Sequence, residues 1–157
     1  MALLLGLLQA AGAGAAAADA TTLQRLEIQG RVAHPQVLTV TDLKHLSPTT
    51  VTLTQVAEHG PQTATYTGVL LWTLLDRASL VDEPGQKTHL RHTILARGTD
   101  DYAVAFGLGE VDPKFEGKPV IVALARNGRP MHGLELIVPG DKHAGRDVHD
   151  LDAITVN

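Results

Sequence analysis

The chain has 157 residues, a formal net charge of −4, and 44% hydrophobic against 19% charged residues. That balance buries one core and excludes a disordered tail, and without a basic excess the chain lacks the face a general nucleic-acid binder uses to displace counterions. It contains no cysteine, which excludes disulfide staples, thiolate nucleophiles, cysteine-type zinc sites and iron–sulfur clusters.

Residues 1–20 read MALLLGLLQAAGAGAAAADA. The apolar stretch Ala2–Leu8 is too short to span a bilayer, and Ala18-Asp19-Ala20 fits an A-x-A cleavage pattern. The expectation is a cleaved export signal, or else an Ala-rich disordered leader, ahead of one domain over residues 21–157 in the periplasm or outside the cell.

Leu23–Gln29 alternates Leu26 and Ile28 with charged neighbours, as a half-buried strand does. Gln36–Val40 reads as a second short strand. Thr41 is placed to cap a helical turn, Asp42–Leu46. Thr50–Val56 alternates Val51 and Leu53 with threonines, another two-faced strand. Tyr66-Thr67-Gly68 leads into a helix over Val69–Ala78, whose Leu71, Leu74, Leu75 and Ala78 share one face. Leu90–Ala96 and Tyr102–Phe106 read as strands, and Leu108–Val111 as one helical turn. The apolar run Val120–Ala125 is expected of a strand covered on both faces. Asn127-Gly128 is a tight-turn signal that pairs Leu134–Val138 antiparallel with it. A polar loop, Asp141–Asp150, precedes a last strand, Ala153–Val156. Many strands with few short helices predict an α+β domain built on a mixed sheet.

The loop Asp141–Asp150 is the densest polar segment and follows a strand end, where loops carry function. Arg146 offers a planar fork to a phosphate or a ring carbonyl; Asp141 and Asp147 accept from an amino group. A solvated loop with rim ion pairs explains the same composition. Trp72, the only tryptophan, lies beside the helix's apolar stripe, where it seals the core edge or covers a flat ligand. Asp100-Asp101-Tyr102 suits a metal or a guanidine-like edge, or a plain Asx turn. The histidines are scattered; a zinc site from His143, His149 and a loop aspartate is one reading of them. Gly107-Leu108-Gly109 precedes no long helix and is a poor phosphate cradle. No G-x-S-x-G is present, which argues against serine hydrolysis.

Four segments, taken in order, resemble one family. They are Tyr66–Leu75 (YTGVLLWTLL), Gly98–Tyr102 (GTDDY), Ala123–Met131 (ALARNGRPM), and Leu136–Asp141 (LIVPGD) with Arg146–His149 (RDVH). They are similar to the molybdopterin-binding domain of the sulfite oxidase superfamily, and most similar to its small exported pterin-binding members. The resemblance runs from about Leu23 to Val156 and implies that family's α+β fold with a pocket for a pterin. The full enzymes hold molybdenum through a cysteine thiolate, which this chain cannot supply. The family's loop arginine falls on Arg146 and the basic residue after it on His149. Asp147 stands where many relatives place a hydroxyl or an aromatic. These departures imply an unphosphorylated pterin, in oxidised or reduced form, with molybdopterin the lesser candidate.

A pterin is flat, with an amino-pyrimidinone edge that donates two parallel hydrogen bonds and a carbonyl that accepts one. A carboxylate, an arginine and an aromatic face match those features; Asp141, Arg146 and Trp72 supply one of each. The candidate pterin-binding set is Trp72, Asp100, Tyr102, Asp141, Lys142, Arg146 and His149, with no catalytic or metal-binding residue assigned. The expected function is a non-catalytic pterin-binding protein that presents its ligand to a membrane receptor or signalling protein, with no membrane insertion of the mature chain. The alternatives are a molybdenum-cofactor oxidoreductase or a subunit of one, and a protein-interaction module that has lost its ligand.

Overall fold

The computed structural model describes residues 24–157; the segment read as an export signal or leader lies outside them. Strands β1 (Arg25–Gly30) and β2 (Gln36–Thr39) are followed by a short helix α1 (Val40–Lys44), β3 (Thr49–Ala57) and β4 (Gly60–Leu70). Helix α2 (Leu71–Ala78) and a 3-10 turn (Thr88–Arg91) lead to β5 (Thr93–Gly98) and β6 (Ala103–Gly107). Helix α3 (Leu108–Val111), β7 (Ile121–Arg126), β8 (Arg129–Ile137) and β9 (Leu151–Val156) complete the order.

The strands form two sheets. One has the order β2-β1-β9-β5-β6 and is mixed, because β1 runs parallel to β9 while its other pairings are antiparallel. The second, β3-β4-β7-β8, is wholly antiparallel. The expected mixed sheet is therefore joined by a second one, chiefly because residues 60–70 form a long strand. They pair along all of β3, from Thr49 with Gly68 to Ala57 with Gly60.

Both sheets share one core. Leu26, Ile28, Ile94 and Ile154 from the mixed sheet meet Val69, Val122, Leu134 and Leu136 from the antiparallel one. Leu71, Leu74, Leu75 and Ala78 of α2 are fully buried in that core, as their spacing predicts. Helix α1 begins two residues earlier than its sequence suggests. Thr39 is the cap: its hydroxyl accepts from the Asp42 N–H, and the Asp42 carboxylate accepts from the Thr39 N–H. This reciprocal box outcompetes a cap at Thr41.

Strand β7 is covered on both faces. Val122 points into the shared core, while Ile121 and Ala123 join a second apolar cluster with Val51, Leu53, Ala64, Tyr66 and Ile137. That second cluster lies on the outer face of the antiparallel sheet, and the loop after β8 folds over it. No helix among the described residues is long and apolar enough to cross a membrane.

Candidate functional site

Strand alternation assembles a cavity on the outer face of the antiparallel sheet. Leu53 stands opposite Ala64, and Val51 opposite Tyr66, in the β3–β4 pairing. Ile137 and Glu135 project from the same face of β8. The resulting hollow holds about 270 Å³ and has an apolar floor of Leu53, Ala64, Tyr66 and Ile137. Its walls are polar: Gln55, Arg126, Glu135, Asp147 and His149. The Arg126 guanidinium lies over the Tyr66 ring, 5.5 Å from its centroid, a cation–π contact. Burial pushes the Tyr66 hydroxyl up in pKa, against the pull of Arg126. His149 Nδ1 sits 3.1 Å from Glu135 Oε1 at the rim.

The loop over this cavity is a tied strap. Val148 and Leu136 exchange two backbone hydrogen bonds, at 2.9 and 3.0 Å. The Val56 N–H donates to the Lys142 carbonyl at 3.0 Å, fastening the strap to β3. Asp147 is buried: its Oδ1 accepts from the Val138 N–H at 2.8 Å and its Oδ2 from Gln55 Nε2 at 2.9 Å. Burial raises the Asp147 pKa, and those two hydrogen bonds oppose the rise.

Arg146 anchors the strap from the other side. Its Nε and Nη2 donate to the two oxygens of Asp141, both at 2.7 Å, and Nη1 donates to Glu110 on α3 at 2.9 Å. The guanidinium stacks over Phe106, 5.3 Å from its centroid. Hydrogen bonds from Arg146 hold the Asp141 carboxyl below its usual range. Burial would raise Glu110, but Arg146, the Gly107 N–H and Lys118 together lower it. Arg146 is itself pushed further up by Asp141 and Glu110.

The sequence-derived residues therefore fall into four places. His149 lines the cavity. Asp141, Lys142, Arg146 and Tyr102 belong to the strap or its ties, for the Tyr102 hydroxyl donates to the Gly145 carbonyl. Asp100 closes an Asx turn, accepting from the Tyr102 N–H at 3.0 Å. Trp72 is not brought to the strap: it packs against the shared core and lines a separate hollow with Asp76, Asp82, His89 and Lys114. The convergence of Asp141, Arg146 and Trp72 on one flat ligand is thus corrected. Asp141 and Arg146 satisfy each other, and the indole lies elsewhere. Nor do His143 and His149 form a metal-ligating group with a loop aspartate; among the described residues the one such group lies elsewhere. The residues missed are Tyr66, Arg126 and Glu135. Alternation of Ala64 and Tyr66 with Thr63, Thr65 and Thr67 was the available signal.

The chain matches the oxidoreductase molybdopterin binding domain family over residues 14–156, and it belongs to that family. No curated protein sequence matches it. Among solved structures it is similar in fold to the sulfane dehydrogenase SoxCD from Paracoccus pantotrophus, with a TM-score of 0.70 and 22% identity over 87% of this chain. The chain spans 38% of the length of that relative. The sulfite-oxidase-type α+β fold expected from the four segments is the fold observed.

A dithiolene-bound metal that takes a protein thiolate finds none, since the chain has no cysteine. Two basic residues near the strap are engaged by carboxylates, whereas the Lys142 side chain in the strap has no ion pair among the described residues. Arg146 is taken up by Asp141 and Glu110, and Lys118 Nζ lies 3.6 Å from Glu110 and 3.4 Å from Glu116. The chain thus lacks the thiolate ligand for such a metal, while Lys142 in the strap and Arg126 in the cavity are cations that could meet an anionic group. The cavity, at about 270 Å³, lies just below the ~300 Å³ at which sites for drug-sized ligands begin.

Proposed function

We propose that this protein is a non-catalytic pterin-binding protein whose ligand lies in the cavity between Tyr66 and the strap. One observation carries the reading. A single small hollow combines an aromatic ring, a guanidinium and a carboxylate in Tyr66, Arg126 and Glu135. Those are the three group types a pterin's face, carbonyl and amino-pyrimidinone edge require. Glu135 is assigned the donor edge: only its Oε1 has a partner, His149, whereas each oxygen of the buried Asp147 already accepts a hydrogen bond. His149 caps the rim, and the strap residues Asp141, Lys142, Arg146 and Tyr102 hold the lid in place. The export-like start of the chain supports a periplasmic or secreted protein that presents its ligand state to a membrane partner.

A thermal melt tests this. A reduced pterin raises the melting temperature, since a ligand that binds only the native state adds RT ln(1 + [L]/Kd), about 2.7 kcal/mol at a hundredfold excess over Kd. Glu135→Gln loses most of that shift while its unliganded melting temperature stays within a few degrees. A shift retained in full by Glu135→Gln overturns the assigned edge; the absence of any shift in the parent overturns the reading.

The family membership and the fold shared with a sulfane dehydrogenase favour a second reading, a component of a molybdenum-cofactor oxidoreductase with a protein partner. Elemental analysis separates the two, because stoichiometric molybdenum in natively purified protein supports only the second.

A further inference from the structure

Outside the strap cavity, Asp82, His89 and His92 bring three ligand atoms within 4.8 Å of one another. A 3-10 turn stacks residues three apart on one side, which places His89 and the following His92 together. His89 Nδ1 lies 3.1 Å, and His92 Nε2 2.9 Å, from the same oxygen, Asp82 Oδ1. The two rings stand at 88° to each other, so their nitrogens approach that oxygen from different directions.

The outer nitrogens are also held. His89 Nε2 is 3.1 Å from Oδ2 of Asp112, which is fully buried and whose Oδ1 accepts from the Lys114 N–H. His92 Nδ1 is 3.3 Å from the Asn157 carbonyl oxygen. A carboxylate and a carbonyl only accept, so each outer nitrogen carries its hydrogen. The inner nitrogens, His89 Nδ1 and His92 Nε2, are thereby aimed at the Asp82 carboxylate, where each can offer a lone pair to a metal ion. Three potential ligand atoms gathered at one centre, with both outer nitrogens held by acceptors, are the arrangement a metal's ligand shell and its supporting second shell produce.

We propose that Asp82, His89 and His92 form a binding site for one divalent transition-metal ion of the zinc type. Asp112 and the Asn157 carbonyl orient its two imidazoles. Two imidazoles and one carboxylate suit zinc, cobalt, nickel or copper over calcium or magnesium. Asp82 is 44% exposed in its side chain, and the site opens on the hollow of about 290 Å³ that Trp72 lines. A fourth coordination position is therefore open to water.

Trp72, the sole tryptophan, reports on this hollow. Full-length protein stripped with a chelator is titrated with Cu²⁺, a quencher of indole fluorescence. Quenching saturates at one equivalent and is reversed by a large excess of Zn²⁺, the weaker-binding ion, and Zn²⁺ added without copper raises the melting temperature. Asp82→Asn, at a half-exposed position, and His89→Gln, which keeps a donor toward Asp112, each weaken Zn²⁺ at least tenfold. The double substitution His143→Ala with His149→Ala leaves binding unchanged. The proposal is overturned if Zn²⁺ neither reverses the quenching nor raises the melting temperature. It is equally overturned if binding survives both site variants, or if the strap double substitution abolishes it.

Discussion

Asp147 and Asp141 sit six residues apart in one loop and respond to pH in opposite directions. Asp147 is 7% exposed, and burial raises its pKa. An acid whose folded pKa exceeds its unfolded value favours the fold below the unfolded value and loses that contribution as pH rises through the folded one. Ionised Asp147 therefore costs stability at neutral pH. Asp147→Asn keeps an acceptor for the Val138 N–H, and Gln55 can turn its amide to match. Its melting temperature at neutral pH is expected to be no lower than the parent's, and the difference should vanish below about pH 4. Asp147→Ala orphans both donors and should lose ~1–3 kcal/mol. Asp141 and Glu110, lowered by Arg146, stabilise above the ordinary carboxylate range and lose that contribution as pH falls. Melts across that range check both signs. The sequence singles out Asp141 and Arg146 by type, but residue type does not say whom a side chain meets. Their mutual pairing and the tie to Glu110 depend on where α3 lies. The His89–His92 spacing escapes notice for a similar reason: three residues apart is meaningful only once a 3-10 turn, and Asp82 beside it, are known.

Strand β4 shows what pattern reading misses in an element. The apolar stripe of α2, the two-sided burial of β7 and the Asn127-Gly128 hairpin are all readable, because aliphatic side chains at fixed intervals mark a buried face. β4 carries threonines opposite threonines instead: Thr50 with Thr67, Thr52 with Thr65 and Thr54 with Thr63 lie 2.8–3.1 Å apart. Its partner, more than its own hydrophobicity, makes it a strand. A bulge shifts the register against β7 where Thr67 pairs with Ala125 and Gly68 with Ala123, skipping Leu124; alternation along β4 turns Tyr66 to the cavity and Val69 to the core. A Cβ at Gly68 would collide with the Val122 carbonyl and lie 2.6 Å from Ala123 Cα. Backbone in a central strand cannot yield, so Gly68→Ala should cost at least ~3 kcal/mol or prevent folding. Gly107, at φ −75° with open space around its would-be Cβ, is the control: Gly107→Ala should cost under ~1 kcal/mol. Denaturant melts of the two variants separate steric collision from a general effect of adding a methyl.

The strap joins parts of the molecule that the sheets alone leave apart. It leaves β8 through the Leu136–Val148 bridge, touches β3 at Val56, reaches α3 through Glu110 and enters the mixed sheet as β9. Arg146 is the node, one guanidinium holding two carboxylates with its side chain 31% exposed. Removing it leaves Asp141 and Glu110 without their bridging cation, so Arg146→Ala should loosen the strap before it loosens the core. Amide exchange should speed up across residues 141–150 while β5, β7 and β9 keep their protection. The unliganded melting temperature should fall by only a few degrees, the shift expected from ~1 kcal/mol. If the strap is the lid of a pterin site, the ligand-induced shift should shrink in the same variant. Arg146→Lys should recover only part of either effect, because an ammonium cannot bind Asp141 through two parallel N–H bonds. Unchanged exchange across 141–150 in Arg146→Ala would mean that the backbone ties at Lys142 and Val148 suffice, and that the ion triad has no part in closing the cavity.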